Sequence, residues 1–160
     1  MLKALVCYYS RTGNTEKMAI KIADAFLKEG LEADLKKAED MHVDDLLKYD
    51  CLVFGSPTYY GTMAWPLKKL IDESIKHHRK LKGKVGGAFA SSGGLAGGNE
   101  TTVLDIVKAL LIHGMVIPGN VEGDHYGAVA VGAPDKRSAE QCRILGKIVG
   151  DLCKRLTGEH

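Results

Sequence analysis

Apolar runs of strand length recur along the chain at Ala4–Tyr9, Cys51–Phe54, Val85–Ala90 and Met115–Ile117, with a weaker alternating stretch near Leu31–Leu35. Continuous runs suit strands covered on both faces, as in a parallel sheet, better than strands with one wet face. Between them lie segments of helical period. Ala19, Ile22, Ala23, Phe26 and Leu27 share one face, as do Val103, Ile106, Val107, Leu110 and Leu111. The C-terminal segment repeats the pattern with Ile144, Leu145, Ile148, Val149, Leu152 and Leu156. Strand and helix therefore alternate from end to end, which predicts an α/β domain, doubly wound, with right-handed crossovers. No linker, repeat or low-complexity tract interrupts residues 1–160, so one domain is expected. Pro118–Tyr126 is the least regular stretch and reads as a surface loop.

A chain of 160 residues can bury a substantial core without disulfide or metal staples. The formal charge is only +2 with the signs interleaved, so no electrostatic footprint for nucleic acid or an anionic membrane is present. The one local excess, Lys76 to Lys82, reads as a solvated helix end. Cys7, Cys51, Cys142 and Cys153 show no metal-site or disulfide spacing and are expected as buried thiols, with no metal bound. The chain enters its first strand pattern directly, without the apolar stretch of a signal peptide or membrane span, so a cytoplasmic location is expected.

In an open parallel sheet, ligands lie beyond the carboxyl ends of the strands, and three loops there carry the chemistry. The first is Ser10-Arg11-Thr12-Gly13-Asn14-Thr15, leading into a helix. A helix start offers unpaired N–H groups and partial positive charge, to which the hydroxyls add donors suited to phosphate oxygens. The loop lacks both G-x-G-x-x-G and G-x-x-x-x-G-K-[ST], so a phosphate monoester held by neutral donors fits best. The second loop runs from Gly55 through Pro57, Thr58, Tyr59, Tyr60 and Gly61 to Trp65-Pro66. Its proline suggests a fixed turn, its glycines allow close backbone approach, and its aromatic rings could stack on a planar ligand. The third, Ser91-Ser92-Gly93-Gly94-Leu95-Ala96-Gly97-Gly98, is rich in glycine, and its amides could line the polar edge of a heterocycle. A phosphate cradle, an aromatic clamp and an amide-lined edge together describe a site for FMN.

At these residues the sequence resembles the flavodoxin superfamily over nearly its whole length. The resemblance implies a five-stranded parallel sheet of order 2-1-3-4-5, with helices on both faces. It makes Ser10, Arg11, Thr12, Gly13, Asn14 and Thr15 the phosphate loop, with Pro57, Thr58, Tyr59, Tyr60 and Gly61 and then Ser91, Ser92, Gly93, Gly94, Leu95, Gly97 and Gly98 around the ring. Gly97 to Thr102 and His113-Gly114-Met115 are more similar to the tryptophan-repressor-binding-protein type of NAD(P)H:quinone oxidoreductase. The chain departs from that branch at Thr12, where a tyrosine is frequent, and at Ile112-His113, where a histidine pair is frequent. The insertions that build a shared tetramer site in that branch are shortened, with Glu73–Lys84 bridging helix to strand directly.

These readings lead to an electron carrier serving a redox partner protein. The alternatives are an oxidoreductase using NAD(P)H and a quinone, with His113 or His125 near flavin or acceptor, and a flavin-free interaction module on the same fold. The enzyme reading leaves room for a homo-oligomer, whose neighbouring subunit would complete the second site.

Overall fold

The computed structural model describes residues 1–159. Strand β1 (Lys3–Tyr8) leads into helix α1 (Asn14–Lys28), and β2 (Glu32–Lys37) follows. Strand β3 (Cys51–Tyr59) turns back into the short β4 (Thr62–Met63), then helix α2 (Trp65–Glu73) leads to β5 (Val85–Ser92). Helix α3 (Asn99–Ile112), strand β6 (Ala128–Val131) and helix α4 (Lys136–Thr157) complete the chain. The order across the sheet is β2-β1-β3-β5-β6, all parallel, with β4 pairing only β3 in antiparallel fashion. With that hairpin strand set aside, this is the flavodoxin-like order 2-1-3-4-5. One core lies beneath α1 and α4 and a second beneath α2 and α3, so the central strands are dry on both faces.

The fifth strand of the main sheet is not Met115–Ile117. That run makes a single bridge, Val116 to Val85, and pairing with β5 resumes only at Ala128 after an intervening loop. The edge strand is thus split into two pieces, of which only the first stood out as an apolar run, while the longer pairing falls at Ala128–Val131. Helix faces are displaced slightly from the predicted stripes. Leu27, Leu111 and Leu156 are exposed, and α4 buries Cys142, Leu145, Gly146, Val149, Gly150 and Cys153. The small residues matter because α4 packs tightly on α1: a Cβ on Gly146 would stand 2.7 Å from the Ala25 Cβ and 2.9 Å from the Ile22 carbonyl oxygen. In the basic run Lys76 to Lys82, His77 and Leu81 are buried rather than solvated. All four cysteines are buried and unpaired. Among the described residues no helix is long and apolar enough to cross a membrane.

Beneath the site, Gly55 on β3 pairs directly with Phe89 on β5. The Phe89 ring covers the bare glycine so closely that a Cβ there would stand 2.0 Å from Cζ. An aromatic ring thus fills the space the glycine leaves in the sheet.

Candidate functional site

The loop after β1 folds around one hydroxyl. Ser10 Oγ accepts from the backbone N–H groups of Gly13 and Glu16, each at 3.2 Å, so its own proton is free to donate. Gly13 sits in the left-handed region at φ 98°, with nothing within 4 Å of where a Cβ would stand. The amides of Asn14 and Thr15, in the first helical turn, meet no acceptor among the described residues, as the geometry of a helix start requires. The Thr15 side chain is buried and hydrogen-bonds Ser91 Oγ at 2.8 Å, tying this loop to the end of β5. Glu16, the acidic residue of the turn, accepts from Tyr8 Oη at 3.1 Å; burial and that carboxylate push the Tyr8 phenol up to about 12.

Much of the second segment is a hairpin rather than a loop. Pro57 does not make a turn: it lies inside β3, in register with Ser91. The turn falls two residues after Thr58, where Tyr60 at φ 50° and Gly61 at φ 80° connect Tyr59 to Thr62. Two successive positive φ angles mark a type I′ connection, whose twist matches the strands it joins. Glycine suits that position; tyrosine does not, so Tyr60 holds a strained conformation with its ring wholly in solvent. Tyr59 is 38% exposed and meets Tyr9 edge-on, with ring centroids 6.5 Å apart. Ser56 Oγ, fully buried, donates to the Pro57 carbonyl and accepts from the Ala64 amide, both at 2.8 Å, which fixes the exit toward α2.

In the third segment, Ser91 and Ser92 belong to β5, and only Gly93 to Gly98 form the loop. Ser92 Oγ donates to the Gly94 carbonyl and accepts from Asn99 Nδ2, while the Gly97 amide donates back to Gly94. Gly98, at φ 97°, starts α3 and packs against the hairpin. Thr101 Oγ1 donates to the Gly61 carbonyl at 2.7 Å and Thr102 Oγ1 to Thr58 Oγ1 at 3.0 Å. The second and third segments are therefore stitched together.

All three segments meet at the carboxyl end of the sheet. Arg11, Thr12, Asn14 and Thr15 share a cleft of about 380 Å³ with Pro57, Thr58, Tyr59, Ser91, Ser92 and Gly93. No carboxylate lines it and one guanidinium does, a wall suited to an anionic group. Ser10 and Gly13 shape the cradle from behind, and Tyr60 and Gly61 form the hairpin tip above it. Gly94 and Gly97 form the turn of the third loop, while Leu95 and Gly98 face a neighbouring recess beyond it. Gly132 also lines the cleft, its amide donating to the Ser92 carbonyl at 2.8 Å. It follows β6, so locating that strand in Ala128–Val131 would have pointed to it. Asn99, Thr101 and Thr102 hold the loops in place from α3.

The histidines lie elsewhere. His113 follows the last residue of α3, about 20 Å along the helix from its start at the site. Ser74 donates its only hydroxyl proton to Ile71 O at 2.5 Å, so the 2.7 Å contact with His113 Nε2 has the imidazole as donor. His113 Nδ1 is then a bare acceptor, buried and without a partner. Burial, with help from His78 and His77, holds the His113 pKa below its ordinary value. Since the unfolded chain takes up this proton first, the stability His113 confers is complete above about pH 6.5 and is lost as pH falls below that value toward the folded-state pKa. Urea midpoints of wild type should therefore drop between pH 7 and pH 5 more than those of His113→Gln; parallel curves would contradict this. His125 Nδ1 bonds Asn120 O at 2.7 Å within the 118–127 loop.

Comparison with known proteins bears directly on this arrangement. The sequence profile described as Flavodoxin matches residues 6–110, spanning all three segments. The chain belongs to the flavodoxin family. It is 39% identical over 156 residues to a flavodoxin of Aquifex aeolicus, covering 92% of this chain and 84% of that one. It is 31% identical to an NAD(P)H dehydrogenase (quinone) of Archaeoglobus fulgidus, covering 98% of this chain and all of that one. The structure of a WrbA-like flavodoxin from Agrobacterium tumefaciens superposes with a TM-score of 0.82 at 26% identity, over 97% of this chain and 99% of the other. As a member of this family the flavodoxin-like chain is an FMN-binding redox protein.

Proposed function

We propose that this flavodoxin-like domain, over residues 1–160, holds FMN in the cleft formed by its three segments and carries electrons between partner proteins in the cytoplasm. The supporting observation is the free amide pair of Asn14 and Thr15 beside the Ser10 hydroxyl, at the foot of a cleft without carboxylates. These donors and the Arg11 guanidinium would take the phosphate, Tyr59 and Tyr60 would flank the ring, and the Ser91 to Gly98 backbone would meet its polar edge.

FMN, once bound, supplies reversible one- and two-electron chemistry. The chain contributes orientation and charge. Backbone donors aimed into the cleft favour negative charge there, and the stitched hairpin and glycine loop limit water on two sides. The carrier reading is favoured over a quinone reductase by length: the match to the Archaeoglobus fulgidus dehydrogenase runs over 190 aligned positions against this chain's 160 residues, so at least 30 positions of that relative have no counterpart here. The quinone reductase remains the second reading because the charge of +2 gives weak steering toward a charged partner protein.

Titration of the apoprotein with FMN is expected to quench flavin fluorescence at one equivalent, and a protein that stays colourless sinks the cofactor assignment. Stopped-flow mixing of the loaded protein with NADH or NADPH should give no fast bleaching; rapid bleaching followed by turnover with a soluble quinone would replace the carrier reading with the second one.

A further inference from the structure

Of the sheet's two open edges, β2 and β6, the second is four apolar residues flanked by glycine in the segment Gly127-Ala-Val-Ala-Val-Gly132. An apolar, uncharged strand with one unpaired side is a template for another chain. Backbone groups alternate in direction along it, and those of Val129 face away from β5. Both are taken by one ion pair. The Val129 amide donates to Asp124 Oδ2 at 2.9 Å, and Arg137 Nη2 donates to the Val129 carbonyl at 2.8 Å. Arg137 closes the unit by donating from Nη1 to Asp124 Oδ1 at 2.7 Å. Asp124 is fixed from behind, its amide donating to Gln141 Oε1 at 3.0 Å.

Val131, two residues on, turns its backbone groups the same way, and no side chain among the described residues bonds them. Beside Val129 and Val131 runs an open trough of about 710 Å³ between the third loop and the start of α4. Space for a further strand therefore exists, and the ion pair sits across it at the one residue where both backbone groups are claimed.

We propose that Asp124 and Arg137 form a plug that keeps β6 the last strand of the sheet, and that removing the plug opens this edge to the β6 of a second copy of this chain. A second copy is the favoured occupant because an apolar edge pairs antiparallel with itself about a twofold axis, giving a closed, self-complementary contact. The pair does more than neutralise charge: with Asp124 largely buried and Arg137 half-exposed, the two together occupy both outward backbone groups of Val129, which removes that site of strand addition.

The test compares the FMN-loaded wild type with Asp124→Ala/Arg137→Met by sedimentation velocity and amide exchange. The double variant is expected to double its mass relative to wild type as concentration rises. At low concentration its Val129 amide should exchange about tenfold faster, since the acceptor is gone. Adding Val129→Pro to the double variant removes the outward N–H without touching the pairing to β5, and should restore the wild-type mass. If the double variant fails to fold, Arg137→Lys supplies the readout, because it keeps the charge and loses the fork; it should associate more weakly and reversibly. A folded variant of either kind whose mass stays at the wild-type value at all concentrations overturns the proposal, as does association that Val129→Pro leaves unchanged.

Discussion

Gly98→Val is expected to leave the sheet folded and to abolish tight FMN binding. The residue occupies φ 97°, where a β-branched side chain is strained by about 1–2 kcal/mol. The added Cβ would stand 3.0 Å from the Gly61 Cα, a backbone atom that cannot swing aside, and 3.2 Å from Thr58 Cγ2. Relief requires the hairpin to part from α3, which breaks the bonds from Thr101 to Gly61 and from Thr102 to Thr58. The cleft wall carrying Thr58 and Tyr59 then moves relative to Ser91 and Ser92. A loss of about 2–3 kcal/mol of binding corresponds to a Kd raised roughly 30- to 150-fold, readable by fluorescence titration. Circular dichroism should remain that of the wild type. Unchanged affinity in a folded variant would show that the contact between the second and third segments is unnecessary for the cofactor.

The largest loss of stability is expected from Gly55→Ala, a substitution of one methyl group. That methyl would lie within 2.4 Å of three Phe89 ring atoms, and the ring has no free rotamer because Phe89 is itself fully buried. Overpacking of this severity costs about 3 kcal/mol or more, which in a domain of this size lowers Tm by roughly 6–12 °C. The double variant Gly55→Ala/Phe89→Leu should recover part of the loss, since neighbours that share one space are not additive. If Gly55→Ala melts within about 2 °C of wild type, the ring is not held against the glycine in the way described.

The parts of the fold that could be read from sequence are those where one physical demand dominates. β1 and β5 are central strands with dry faces, so their residues are continuously apolar and their positions stand out. The loop after β1 was legible as a helix start with free amides because such a start has few ways to satisfy them, and Ser10 with Gly13 advertises one of them. The hairpin was hidden because Pro57 and Gly61 each resemble turn residues of an open loop, and only the pairing of Thr58 with Met63 distinguishes a strand return from such a loop. The fifth strand was placed at Met115–Ile117, short of its main pairing, for a different reason. Its pieces at Val116 and Ala128–Val131 are fixed by pairing to β5, a long-range contact that leaves no local period. Helix stripes were off at Leu27, Leu111 and Leu156, where exposure is set by which neighbour arrives. Thr101 and Thr102 stood out only through the resemblance of Gly97 to Thr102, and their role carried no local signal, because a threonine in the first turn of a helix looks the same whether it serves the helix or the loop beside it.

The break in the fifth strand makes the stretch between Ile117 and Gly127 a place where length is thermodynamically cheap. Its two ends are clamped independently to Val85 and Phe89 of the same neighbour, so extra residues inserted between them lengthen an already closed excursion. Each doubling of such an excursion adds only about 0.6 kcal/mol of closure entropy, far less than any insertion within a dry central strand would incur. Grafts, tags or whole accessory modules placed at its tip should therefore be accepted with the three segments at the carboxyl end of the sheet undisturbed.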